Sequence, residues 1–188
     1  MAMAMAMSDE PRLSLDQVPA VAAELARLAD AAADDAAGVA DDAHFMRLAL
    51  REAMAAAALD EVPVGAVVVR AGQVIATGYN LRETRADPTA HAEIVALAAA
   101  GAAVGHWRLD ECDLFVTLEP CPMCAGALVN SRIRRVVFGC TDPKAGACGS
   151  VVDLSSHPQL NHRYEVVGGV LAEACAQVLT AFFRSRRG

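Results

Sequence analysis

The sequence predicts an α/β fold, a three-layer α/β/α sandwich built on a mixed five-stranded sheet. Two β-branched runs separated by two residues announce an antiparallel hairpin, and from there strands alternate with helices, the pattern of a sheet with helical crossovers on both faces. Size agrees: 188 residues suit one ordinary domain, which at that length buries roughly two thirds of its unfolded surface without a staple.

The elements follow in chain order. Residues 1–43 are dominated by Ala, Asp, Glu and Val, with a short helical pattern at Ala20 to Ala33 and Gly38 as a breaker. With so little to bury, this stretch reads as an acidic disordered extension, with a helical arm packed on the domain as the alternative. The domain is then residues 44–188. Phe45, Leu48, Leu50, Met54 and Leu59 among alanines make an amphipathic helix that stops before Pro63. Gly65 to Arg70 and Gln73 to Tyr79 are the hairpin strands, with Ala71-Gly72 as the turn. A polar loop runs from Asn80 to Pro88, and Thr89 is the expected N-cap of a helix from Ala90 to about Ala100, closed by Gly101. Asp113 to Leu118 is the next strand, Cys121 to Asn130 a helix after the breaker Pro120, and Arg135 to Gly139 a strand. Beyond a Gly-rich loop come a short segment at Val151 to Leu154, a strand at Glu165 to Gly168, and a last helix from Ala172 to Arg186. The strands after the hairpin are expected to be covered on both faces.

Composition narrows the function. Hydrophobic residues reach 55%, but alanine inflates that figure and no apolar run is of membrane length, so a membrane-spanning chain is excluded. The opening MAMAMAM lacks a basic flank and is followed at once by Asp9 and Glu10, which argues against a secretory leader and for the cytoplasm. The net charge of −7 lies wholly in residues 1–43, where Arg12 and Arg27 face nine carboxylates; the rest is neutral. Bulk charge therefore does not mark a nucleic-acid binder, although a neutral domain can carry a local basic patch. Six cysteines in a non-secreted chain point to metal binding or catalysis rather than a disulfide framework.

Two motifs carry the chemistry. His91-Ala-Glu93 and Pro120-Cys121-Pro122-Met123-Cys124 each open a predicted helix, and in an α/β layer both helix starts can converge on one sheet edge. One imidazole and two thiolates make a three-ligand zinc set that leaves the fourth tetrahedral position for water, the catalytic rather than the structural pattern. A helix N-terminus favours the thiolate each cysteine must supply. Glu93, two residues from His91, need not be a ligand; at a helix start it is placed to take a proton from water and return one to a leaving amine. The HxE and PCxxC pair together form the zinc-deaminase signature. Other readings of the parts are a redox CxxC, or a zinc-stabilised RNA-binding module completed by Cys140 and Cys148.

The stretches Glu61-Val-Pro-Val-Gly-Ala66, Asn80-Leu-Arg-Glu-Thr84, Asp87 to Glu93, Thr117 to Gly126, Ser131-Arg-Ile133, Val136 to Gly139, Asn161-His-Arg163 and Phe182-Phe-Arg184 resemble the bacterial tRNA-specific adenosine deaminases, over roughly residues 44–188. The resemblance implies the cytidine-deaminase-like sandwich, one zinc per subunit, a homodimer, and conversion of the wobble adenosine of an arginine tRNA with an ACG anticodon to inosine. It places the zinc ligands on His91, Cys121 and Cys124 and the proton shuttle on Glu93. Substrate contacts fall on Val64 and Asn80 at the base, on Asp142 and Lys144 beside the flipped nucleotide, and on Phe183 and Arg184 at the anticodon stem-loop. The nearest competing reading is the same chemistry on a free base or nucleoside. Elsewhere, Cys112 and Cys175 are expected as small buried hydrophobes and Trp107 as core. Arg132, Arg134 and Arg135 are expected on a solvated face at a helix-to-strand turn, with a dimer or RNA surface as the alternative, and His162 is the one further histidine worth testing against the site.

Overall fold

A computed structural model describes residues 41–186; apart from Asp41, Asp42 and Ala43, the predicted acidic extension lies outside them. Ten elements follow in order: α1 (Asp42–Ala58), β1 (Gly65–Arg70), β2 (Gln73–Tyr79), α2 (Arg82–Arg85), α3 (Ala92–Val104), β3 (Cys112–Leu118), α4 (Pro122–Ser131), β4 (Arg135–Cys140), β5 (Glu165–Gly168) and α5 (Ala172–Ser185). The strands form one five-stranded sheet in the order β2-β1-β3-β4-β5. Pairs β1–β2 and β1–β3 are antiparallel, whereas β3–β4 and β4–β5 are parallel, so the mixed sheet and the sandwich are as the sequence predicts.

Strand alternation sorts the core into two layers. Ala66, Val68, Leu114, Val116, Val136 and Phe138 face α3 and α4, whose Ala92, Ala96, Ala100, Leu128 and Val129 complete that cluster. Their neighbours Val67, Val69, Phe115 and Val137 face the other way, against Phe45, Met46, Ala49 and Leu50 of α1 and Cys175 and Val178 of α5. Cys112 and Cys175 are each buried, as small apolar side chains. The alanines are functional in packing: they let α3 lie so near the sheet that a Cβ on Gly78 would sit 2.5 Å from Ala96 N and 2.6 Å from Ala92 O.

Several expectations need correction. Thr89 does not cap α3, because its N–H and hydroxyl both donate to Asp87 Oδ1, at 2.8 and 2.7 Å. The cap is His91, in extended conformation, and the helix runs past Gly101 to Gly105, which closes it at φ 75°. The loop after Asn80 contains the single turn α2, and the segment at 151–154 contributes only a Cys148–Asp153 bridge. Strands β3 and β4 are covered on both faces, but β5, paired on one side alone, is half open. Trp107 is 58% exposed, lying in the turn after α3 against His106 and beneath Arg108. Arg135 is not on a solvated face: its side chain is 20% exposed and grips both oxygens of Asp42 at 2.8 and 2.6 Å, tying the start of α1 to β4. Arg134 pairs likewise with Asp113, while Arg132 donates to Asn161 Oδ1.

Because α3 rests on backbone at Gly78, the substitution Gly78→Ala is expected to destabilise the domain by about 2 kcal/mol or more, read as a lower denaturation midpoint with an unchanged slope.

Candidate active site

The site begins with two helix ends. His91 and Cys121 are the N-caps of α3 and α4, both extended (φ −72°), and neither spends its side chain on capping. Pro122, with no N–H to lose, starts α4, and Cys124 follows within its first turn. As a result His91 Nδ1 stands 3.7 Å from Cys121 Sγ and 3.6 Å from Cys124 Sγ. Bonds of about 2.0–2.1 and 2.3 Å meeting at a tetrahedral zinc put a nitrogen and a sulfur ligand roughly 3.5–3.6 Å apart, so the imidazole stands from each sulfur about as that metal would hold it. Among the described residues this is the group of His, Cys, Asp and Glu side chains with metal-binding spacing. Cys140 and Cys148 do not join it: Cys140 Sγ lies against Thr117 O and Cys148 Sγ against Tyr164 OH. The closed four-cysteine module is therefore not assembled. His162 is structural, its Nε2–H donating to Ile133 O at 2.7 Å.

The electrostatics suit a cation. The neighbouring Cys124 thiol, helped by His91 and opposed by burial, pulls Cys121 down to about 4. Cys124 is pushed well up, first by that same hydrogen bond to Cys121 and then by burial. His91 is raised, chiefly by Cys121. Glu93, 4% exposed, is raised by burial.

Beside the donor set opens a cavity of about 180 Å³. Val64, Asn80 and Asp142 share its wall with His91, Glu93 and Cys121, and Val62, Arg82, Ala92, Leu118, Glu119 and Ala145 complete it. Lys144 stands apart: it is exposed, and it touches the site only through its N–H to Asp142 Oδ1. Phe183 and Arg184 are exposed on the last turn of α5.

Sequence reasoning missed two buried carboxylates. Glu119, 2% exposed, accepts from the N–H groups of Asp142, Cys148 and Ser150 and from the Ser150 hydroxyl. Burial opposes its charge, but these donors outweigh that and hold it below the usual carboxylate range. Glu61, fully buried, accepts from Asn80 Nδ2 at 3.1 Å and Thr84 N at 2.6 Å. Each lies in a motif stretch, Glu119 directly before Pro120 and Glu61 three positions before Val64, but no spacing rule flags a carboxylate whose partners are amides and a hydroxyl brought up from loops distant in sequence.

The family model of the MafB19-like deaminases matches residues 40–187. The tRNA-specific adenosine deaminase of Bacillus subtilis is 50% identical over 146 residues, 78% of this chain and 91% of that protein. The enzyme of the same name from Haemophilus influenzae is 50% identical over 147 residues, 78% and 85% of the two chains. A solved structure from a study of A-to-I editing by tRNA:A34 deaminases matches with 48% identity and a TM-score of 0.70, covering 72% of this chain and 99% of that one. A guanine deaminase from Nitrosomonas europaea matches at 27% identity and a TM-score of 0.65, over 76% and 85%.

Glu119→Gln keeps one acceptor where two are used, and is expected to cost about 2 kcal/mol or more at neutral pH. The Glu119 contribution is present above the ordinary unfolded value of about 4.3 and is lost as pH falls through its depressed folded value. Denaturation of the two proteins at neutral and acidic pH should show the gap between them closing on acidification.

Proposed function

The chain belongs to the MafB19-like deaminases, among the tRNA-specific adenosine deaminases, and from that footing we propose that it converts the wobble adenosine of an arginine tRNA with an ACG anticodon to inosine, releasing ammonia. The observation that carries the reading is a buried carboxylate, Glu93, beside a three-donor set at the wall of one cavity. His91, Cys121 and Cys124 would hold a zinc ion, which when bound would supply Lewis acidity to a water molecule at the position the three ligands leave open. Glu93 accepts the proton of the attacking water and delivers one to the amine leaving C6. Its burial serves the first half, because a carboxylate raised above its usual range takes up a proton more readily. Val64 packs on the base and Asn80 hydrogen-bonds it. Asp142 and Lys144 lie beside the flipped nucleotide, and Phe183 and Arg184 meet the anticodon stem-loop. An adenosine in a loop is already partly unstacked, which lowers the cost of bringing it into the cavity.

The same reading takes residues 44–188 as the deaminase domain, 1–43 as an extension, and the enzyme as a cytoplasmic homodimer with one zinc per subunit. No described helix is long and apolar enough to cross a membrane. The likeness to a guanine deaminase sets the competing reading, free-base deamination, but at markedly lower identity.

The test is inosine formation, by mass spectrometry of digested RNA, on an arginine anticodon stem-loop bearing ACG. Conversion of that adenosine, absent when the base is held in a duplex, is expected. Turnover of free guanine or cytosine with none of the stem-loop would overturn the tRNA assignment. Glu93→Ala should keep its zinc and its RNA affinity and lose at least about a hundredfold in turnover. His91→Ala should lose the metal, as metal analysis of the purified protein will report.

A further inference from the structure

The geometry points to Glu61 as the residue that fixes the polarity of the Asn80 amide and so decides which hydrogen-bonding edge the cavity shows a base. The inference rests on the deaminase reading of that cavity. It deepens the reading by adding a positioning residue for specificity.

The backbone of Asn80 has no freedom to choose. Its N–H donates to Val64 O at 3.0 Å, and the N–H of Leu81 donates to Ala90 O at 2.9 Å, which pins the residue beside the His91 motif. What stays open is the half-turn about χ2 that exchanges the amide's oxygen and nitrogen, two groups of equal size and opposite polarity. Glu61 settles it. Both of its oxygens face N–H donors, Oε2 toward Asn80 Nδ2 and Oε1 toward Thr84 N, which is the environment of a carboxylate and not of a carboxylic acid. A carboxylate only accepts, so the Asn80 nitrogen must face it. Among the described residues Asn80 Oδ1 has no partner, and Asn80 lines the cavity. The cavity is thus offered an acceptor, with one remaining N–H beside it, and that edge selects a base presenting a donor, such as an amino-purine. Glu61 forms no ion pair among the described residues, so a fully buried charge is kept for these two hydrogen bonds alone.

The Thr84 contact explains why glutamine will not substitute. Thr84 N–H is fixed by the turn α2, whereas the Asn80 amide can rotate. In Glu61→Gln the single carbonyl therefore goes to Thr84, the new amide nitrogen faces Asn80, and Asn80 turns its oxygen away from the cavity.

Three variants test this: Glu61→Gln, Asn80→Asp, and the two combined. Asn80→Asp sets two carboxylates against each other. In the double variant the introduced amide at position 61 donates to the introduced carboxylate at position 80, whose second oxygen again offers the cavity an acceptor. With the zinc-loaded proteins and the ACG stem-loop, each single variant should lose about tenfold or more in kcat/KM. The double variant should exceed Asn80→Asp several-fold, and this comparison stands whether or not Glu61→Gln alone folds. Independently of substrate, one side-chain amide proton of Asn80 should exchange slowly in nitrogen-edited NMR of the parent and lose that protection in Glu61→Gln, or in a milder Glu61→Asp. Parental kcat/KM in a folded Glu61→Gln, a double variant no better than Asn80→Asp, or an Asn80 signal indifferent to residue 61 would each overturn the inference. A parent that leaves the stem-loop untouched while its Asn80 proton is protected by Glu61 counts against the tRNA reading and for the lock.

Discussion

Three side chains from two helix starts must arrive within one metal's reach, and most of the fold can be read as what makes that meeting hold. His91 and the two cysteines come from segments thirty residues apart, so their 3.6–3.7 Å separations depend on where α3 and α4 sit on the sheet. For α4 the constraint is the strand before it, since β3 is buried along its length and its end delivers Cys121 directly. For α3 it is contact at backbone distance: alanines on the helix and glycine on β2 bring the two close. A bulkier pair would move His91 outward by a side chain's thickness, more than metal coordination tolerates.

Two buried carboxylates hold the cavity's walls in the same indirect way. Glu119 gathers the loop from Asp142 to Ser150 on one side, and Glu61 gathers Asn80 and Thr84 on the other. Neither presents charge to a basic side chain among the described residues, and both answer N–H groups that loops would otherwise leave unpaired. Irregular chain is thereby given the fixity of regular elements at the place where position matters.

How much of this the sequence disclosed depends on how local each cause is. The hairpin was legible to the residue, because Ala71-Gly72 is a turn whose chemistry is complete within two positions. The ligand set was legible because its members announce themselves by type and spacing. The start of α3 was not: Thr89 has the chemistry of a cap, but Asp87 two residues earlier claims its hydroxyl first. Trp107 was misplaced because the turn that exposes it is set by the length of α3, which passes Gly101 without stopping. Arg135 was misplaced because its partner, Asp42, is ninety-three positions away. Glu61 and Glu119 were invisible for a related reason, since their partners are largely main-chain groups brought up by tertiary structure.

The sheet order has one more consequence, for how the protein keeps to itself. An open sheet ends in two strands with unpaired backbone, and such borders invite another chain to add on and aggregate. Here β5 is four residues long and leads straight into Gly169 at φ 91°, too short to template a ladder. At the other border the pairing of β1 with β2 shifts register between Val68 and Val69, a break of the kind that bends a strand out of flat alignment. A chain that is 55% hydrophobic thus keeps its long, flat, apolar strands in the middle of the sheet, where both sides are already taken.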